Sequence, residues 1–216
     1  MDFEQLDELA RKLMKKRKSH VEREIGSIYY HGRRVSRLVL ELRRLIVPDD
    51  DSMDDVLRLA GLFHDVGKGI EPHARYGAAI FREAMRDCDV TPAQVDCAAR
   101  LIAAHCDRRP SEPVHDTWER LIQDADLLDH IGTYTIWMDF NWCAYREEGV
   151  DEARKRLSSI EEYIASNRKG INFPQSLAIY DEKSDFLRAF VARLDWESRG
   201  RIGSAGQCPV PLAAAE

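Results

Sequence analysis

Several features that would take a chain of this length out of the ordinary globular class are scarce or missing. Five cysteines occur in 216 residues, Cys88, Cys97, Cys106, Cys143 and Cys208. The number is odd and no two stand at Cys-x-x-Cys spacing, so a reduced, cytoplasmic compartment is expected rather than a disulfide scaffold. No stretch is long and apolar enough to span a bilayer. Met1-Asp2-Phe3-Glu4-Gln5 shows no signal-peptide apolar run, so no membrane partner is expected. A concentrated basic face is also missing. Lys and Arg number 32 against 38 Asp and Glu, with the signs mixed and a formal net charge of -6, which argues against duplex nucleic acid as a partner. Period-2 alternation is absent, so no strand is expected, and no internal repeat is visible.

What is present is helical periodicity. The balance of 44% hydrophobic and 32% charged residues suits one domain with a sizeable core. Leu6, Leu9, Leu13 and Met14 recur at helical spacing among Lys and Arg. The basic run Arg11-Lys12-Lys15-Lys16-Arg17-Lys18 is then the solvated face of that amphipathic helix. Ile28, His31, Val35, Leu38, Val39, Leu42, Leu45 and Ile46 form a second stripe, ended by Pro48 and Asp49-Asp50-Asp51. Ser52 with Asp55 resembles a capping box for a third helix, which Gly67 and Gly69 break. A fourth helix is expected over residues 73–88. Thr91, Pro92 and Gln94 give a strong start signature for a fifth, running to about His105. Pro110 and Pro113 mark a loop. A long periodic stretch follows from His115 to about Tyr145, and two more helices fit 150–167 and 174–197. The expected fold is an all-α, single-domain helical bundle. Residues 1–24 form the N-terminal helix and its connection, 25–198 the main domain, and 199–216 a disordered tail rich in Gly, Ser, Pro and Ala.

The chemically informative segment is Leu62-Phe63-His64-Asp65-Val66-Gly67-Lys68. Adjacent helical residues diverge by about 100°, so His64 and Asp65 can converge on one point only near a helix end. Taken alone, such a pair reads as a surface or capping pair. Here, however, other polar residues interrupt apolar faces in the same way. His31 lies on the stripe of Ile28, Val35 and Leu42. His73 precedes Gly77-Ala78-Ala79, small residues that permit close helix approach. His105 ends the face of Val95, Ala98 and Ile102, and Asp126 sits within Ile122-Gln123-Asp124-Ala125-Asp126-Leu127-Leu128-Asp129. A buried carboxylate is costly, and a cation compensates it. Imidazole with carboxylate suits Mn, Fe, Zn, Co or Ni, with Mg also admitted.

This pattern resembles the HD-domain superfamily of metal-dependent phosphohydrolases, defined by His … His-Asp … Asp; here these are His31, His64-Asp65 and Asp126. The resemblance covers roughly residues 25 to 195. Lys68 matches a lysine frequent in the superfamily. His73 and His105 look like the extra histidines of its binuclear branches, which include cyclic-di-nucleotide phosphodiesterases and bacterial dinucleoside tetraphosphatases. No Gly-Tyr-Pro motif follows His105, which argues against the cyclic-di-nucleotide class. Some binuclear relatives carry two consecutive histidines at this point, and the second position here is Cys106. Asp124 and Asp126 are both available as the last ligand; the family's Ala-Asp-x-Leu pattern selects Asp126, with Asp124 nearby as a hydrogen-bond acceptor.

The resemblance implies that His31, His64, Asp65 and Asp126 hold one divalent metal. His73 and His105, sharing the carboxylates, would hold a second. Asp65 and Lys68 are the expected catalytic residues, Lys68 holding a phosphate oxygen. The implied activity is hydrolysis of a phosphoester or phosphoanhydride in a nucleotide or other small phosphate by metal-activated water. Two alternatives keep the same fold: a mixed-valence di-iron oxygenase on the same ligands, and a non-catalytic nucleotide-sensing domain. A homodimer is compatible with the sequence. Substrate selectivity is expected from loops 106–117 and 168–176. Arg33, Arg34, Arg37, Arg75, Arg108 and Arg109 are available for phosphate contacts, although each taken singly reads as a solvent-exposed side chain. His20, His115 and His130 match no motif position. Trp118, Trp137, Trp142 and Trp196 read as core or pocket wall, and the cysteines as small buried hydrophobes.

Overall fold

The computed structural model describes residues 1–16, 27–108 and 115–201. Among the described residues there are ten helices and no strand: α1 (Phe3–Met14), α2 (Ser27–Ile46), α3 (Asp54–Phe63), α4 (His73–Ala84), α5 (Pro92–Ala104), α6 (Thr117–Asp129), α7 (Thr133–Tyr145), α8 (Val150–Leu157), α9 (Ile160–Arg168) and α10 (Pro174–Ser198). The all-α expectation therefore holds. His20, Arg17, Lys18, Arg109, Pro110, Pro113, Cys208 and most of the expected tail lie outside the described residues.

Helix starts follow local chemistry. At α5, the Thr91 side chain accepts from the Gln94 backbone N–H while the Gln94 side chain reaches back to the Thr91 backbone N–H, with Pro92 in the first turn. Asp116 and Glu119 form the equivalent reciprocal pair at α6. The cap expected from Ser52 and Asp55 does not form. Helix α3 begins at Asp54 without a side-chain cap, and the Ser52 backbone and hydroxyl donate back to Asp50 at 3.0 and 2.6 Å. The long stretch expected from His115 to Tyr145 is two helices, because Gly132 takes a positive φ of 90° and turns the chain. The helix expected over 150–167 is likewise divided at Ser158-Ser159 into α8 and α9. The fourth helix stops at Ala84, four residues short of the expected end.

Helix α2 is the central element. It packs on α1, α3, α6 and α10, while α5 closes against α3, α4 and α6. One buried cluster, including Leu6, Met14, Val35, Val39, Phe63, Phe81, Leu101, Ile122, Leu128 and Tyr180, runs through these helices. Helix α1 therefore shares the core rather than lying apart from it. Where α2 crosses α3, a Cβ on Gly32 would stand 2.4 Å from the Leu62 carbonyl oxygen, and one on Gly61 2.8 Å from the Ser36 Cα. Only glycine allows the two backbones so close, and this seam brings His31 and His64 side by side. No helix of the described residues is long and apolar enough to cross a membrane.

Candidate metal centre

Two of the four histidines sit at helix ends in the same way. His64 and His105 are the C-caps of α3 and α5. A helix end leaves backbone carbonyls without intrahelical partners, and each histidine supplies one. His64 Nδ1 lies 2.8 Å from the Gly61 carbonyl and His105 Nδ1 2.7 Å from the Ile102 carbonyl. A carbonyl only accepts, so in both rings Nδ1 carries the proton and Nε2 is left with its lone pair. Those Nε2 atoms point into a shared polar centre inside the bundle.

His31, from α2, completes one half of that centre. Its Nδ1 donates to Asp129 Oδ2 at 2.7 Å, and its Nε2 faces Asp126 Oδ1 at 3.0 Å and His64 Nε2 at 3.1 Å. His64 Nε2 is 3.6 Å from Asp126 Oδ1 and 3.8 Å from Asp65 Oδ2. On the other half, Asp65 Oδ1 stands 3.5 Å from Nε2 of both His73 and His105, and 3.4 Å from Lys68 Nζ. All six residues expected from the sequence, His31, His64, Asp65, His73, His105 and Asp126, thus meet in one place, with Lys68 on its border.

The charge state follows from burial and neighbours. Burial opposes ionisation of Asp65, yet His64, His105 and Lys68 outweigh it and hold its carboxyl well below the usual range. Burial likewise opposes Asp126, and His130, His31 and His64 hold it low. For His31, burial disfavours the cation, but hydrogen bonds to Asp126 and Asp129 push its pKa up to about 9. Burial lowers His105 and His130.

The centre therefore contains more acceptors than protons. Two ionised carboxylates face the lone pairs of His64 and His105, and His31 has one proton at most to place between His64 and Asp126. His73 Nε2 is buried and makes no hydrogen bond. Ligand atoms of His31, His64 and Asp65 lie within 4.8 Å of one another, as do those of His64, His105 and Asp126 and those of His31, Asp126 and His130. Such a donor set fits a divalent first-row cation, which satisfies several lone pairs at once.

Four contributors stand out only in three dimensions. Asp129 accepts from His31 Nδ1 and also takes Arg34 in a bidentate pair, at 2.8 to 3.1 Å. This fixes the His31 ring and draws the Asp129 carboxyl down to about 2, although burial opposes it. His130 Nε2 approaches Asp126 Oδ1 at 3.3 Å. Arg108 donates to the second oxygen of Asp126. Asp129 and His130 lie three and four residues beyond Asp126, on the same helical face, and that spacing was the available signal. Asp124 points elsewhere: it accepts from Asn172 N and Nδ2, both at 2.8 Å, and from Phe173 N at 3.1 Å, tying the α9–α10 connection to α6. His115 pairs with Glu119 outside the centre. Of the remaining arginines, Arg33 faces Asp7 at 3.8 Å, while Arg37 borders a shallow groove with Tyr30, Tyr134 and Trp137.

A cavity of about 560 Å³ opens from the His31, Asp129 and His130 side of the centre. Its walls come from α7, α8 and α9, with Tyr134, Met138, Trp142, Leu157, Ile160 and Tyr163 beside Arg34, Asp139 and Arg156. The loops expected to shape it, 106–117 and 168–176, contribute none of its described lining. Trp142 is a wall residue, as expected, whereas Trp137 is exposed. Asp139 Oδ1 accepts from Arg156 at 2.8 Å, while its buried Oδ2 has no partner. The described cysteines largely depart from the expected burial, with Cys88 and Cys97 only half-buried. Cys143 is buried, but Cys106 is exposed, and its sulfur lies within 4.8 Å of ring nitrogens of His73 and His105.

The HD domain family model matches residues 28–131, a span holding every member of the centre. The crystal structure of Bacillus subtilis YpgQ in complex with ADP superposes with a TM-score of 0.62, at 17% identity, over 90% of this chain and 98% of that chain. No curated protein matches the sequence.

Proposed function

We propose that this chain, whose residues 28–131 match the HD domain family model, is a metal-dependent phosphohydrolase acting on a nucleotide or similar small phosphate. The observation that carries this reading is the convergence of the Nε2 atoms of His31, His64, His73 and His105 on the carboxylates of Asp65 and Asp126. His31, His64, Asp65 and Asp126 would hold one divalent cation, and His73 and His105 with Asp65 a second. Cations there would polarise a phosphoryl oxygen and acidify attacking water.

The chain's own residues supply the rest. Asp129 and Arg34 hold the His31 ring in its orientation. The Gly61 and Ile102 carbonyls fix the tautomers of His64 and His105, so neither ring needs to reorganise when a ligand arrives. Lys68 Nζ stands at the border of the Asp65 half, where a phosphate oxygen would gain a point charge. The aromatic and aliphatic cavity walls suit a nucleoside-sized group, at a volume typical of small-molecule sites. That YpgQ, of similar fold, was crystallised with ADP also favours a nucleotide.

The test is metal analysis of protein purified without chelators, together with a screen of nucleotides, dinucleoside polyphosphates and generic phosphate esters under Mn, Fe, Ni and Mg. His64→Ala and Asp65→Ala are expected to abolish both bound metal and turnover. Full occupancy and activity in either variant would refute the site. Iron with a mixed-valence signal and no phosphatase activity would favour the oxygenase alternative. Tight nucleotide binding without turnover would favour a sensor.

A further inference from the structure

Cys106 follows directly on His105 at the end of α5. The backbone there is set by two contacts: the Asp107 N–H donates to the Ala104 carbonyl at 3.1 Å, and His105 Nδ1 is anchored on Ile102. This turn presents the His105 ring and the Cys106 sulfur on the same side, and both meet His73 from the start of α4. Ring nitrogens of the two histidines and Cys106 Sγ lie within 4.8 Å of one another. Asp65 Oδ1 is 3.5 Å from Nε2 of each histidine.

The two 3.5 Å separations match a tetrahedral metal, and the His73, His105 and Cys106 donors are gathered within reach of the same ion. With metal–ligand distances of 2.0 to 2.3 Å, donors at the corners of a tetrahedron stand about 3.3–3.8 Å apart. Two further observations point to a ligand here. His73 Nε2 is buried with no hydrogen bond. Cys106, although exposed, makes no hydrogen bond among the described residues, so its sulfur is not committed elsewhere.

We propose that Cys106 is a thiolate ligand of a second cation held with His73, His105 and Asp65, which makes this half of the centre selective for a soft or borderline divalent ion such as zinc or cobalt. The inference rests on the metal-dependent reading above and adds to it a sulfur donor. As the metal–sulfur bond forms, the thiol proton passes to solvent; nothing is oxidised or reduced. A donor set of two imidazoles, one carboxylate and one thiolate favours zinc, cobalt or ferrous iron over magnesium or manganese. The His31, His64 and Asp126 half has only nitrogen and oxygen donors, so the two halves should differ in selectivity.

Cobalt(II) is the probe. Chelator-stripped protein titrated with cobalt should take up two equivalents, and one of them should bring the strong near-ultraviolet absorption of sulfur-to-cobalt charge transfer. Excess zinc should abolish the band, and excess magnesium should leave it. In Cys106→Ser the band should vanish and the affinity of that equivalent should fall tenfold or more, with the other equivalent retained. His73→Ala should remove the same band. Because Cys106 is exposed, the serine variant is expected to keep the wild-type circular dichroism spectrum, which is checked alongside. The proposal is overturned if two equivalents bind without the band, if the band persists in Cys106→Ser, or if only one equivalent binds. Failure to bind any cobalt would overturn the metal-dependent reading as well, so the two failures are distinguishable.

Discussion

Placing a methyl group at Gly67 should loosen one half of the centre while leaving the other nearly intact. An added Cβ would stand 2.3 Å from the His73 carbonyl oxygen, 2.5 Å from Gly77 N and 2.8 Å from Gly77 Cα. All three are backbone atoms, so no rotamer change relieves the clash. Helix α4 must retreat by about 1 Å to restore ordinary contact distances. Overpacking against atoms that cannot turn aside costs about 3 kcal/mol, the upper end for inserted methylenes. For a domain of this size, that lowers Tm by about 6–12 °C. His73 opens α4 and moves with it, and a shift of that size exceeds the tolerance of a ligand set. Gly67→Ala should therefore also weaken the cation bound through His73 and His105 about tenfold or more, with little change at the His31, His64 and Asp126 half. Two variants control for glycine loss itself. Gly69 has a φ of 93° and no atom within 4 Å of its Cβ position, so Gly69→Ala carries only a backbone cost of about 1–2 kcal/mol. Gly77 lies on the other side of the same seam, and its Cβ would meet nothing nearer than Gly67 N at 3.3 Å; Gly77→Ala should be the mildest. Thermal unfolding and metal stoichiometry of the three variants decide the matter. A Gly67→Ala protein as stable as Gly77→Ala, with full cation occupancy, would refute the account of this seam.

Asp124→Ala and Asp126→Asn should have opposite signatures. The first strands donors on Asn172 and Phe173 and should cost about 2–4 kcal/mol in stability with cation stoichiometry unchanged, whereas the second should lose the cation while remaining folded, as seen by circular dichroism and metal analysis. Manganese at a hundred times its Kd should stabilise the stripped protein by about 2.7 kcal/mol, a rise of about 5–11 °C in Tm; no shift with any divalent cation would contradict a built site. In stripped protein, His31 with a folded pKa of about 9 against 6.5 keeps a proton that the unfolded chain releases. Its contribution is complete below about pH 6.5 and fades as pH rises to about 9. The Tm of the stripped protein should fall across that interval, and a bound cation, replacing the proton, should flatten the decline.

The sequence and the structure agree most closely where short-range chemistry decides the outcome. The Thr91-Pro92-Gln94 start of α5 depends only on atoms within one turn, and it forms as the residues predict. The His31 stripe on α2 is equally local, because a polar residue on an apolar helical face has nowhere to go but inward. Disagreements occur where a tertiary contact or a backbone dihedral takes over. Periodicity runs on unbroken from His115 to about Tyr145, but Gly132 turns the chain at a positive φ, where an added Cβ would stand 3.4 Å from Lys183 Cε of α10. The turn separates α7 from α6 and makes room for a cavity walled by α7 to α9, which no spacing rule announces. Asp124 and Asp126 present the same difficulty on a smaller scale. Both are buried on α6, two residues apart, and both lie next to apolar neighbours. What separates them is a partner 48 residues away for one, Asn172, and a partner 95 residues away for the other, His31. A motif can select between them by resemblance, but the physical reason is the direction in which each carboxylate leaves the helix. Once Asp126 points at His31, the spacing of α6 carries Asp129 and His130 round to the same side. The α6 share of the centre, Asp126 with Asp129 and His130, is the consequence of one helix orientation.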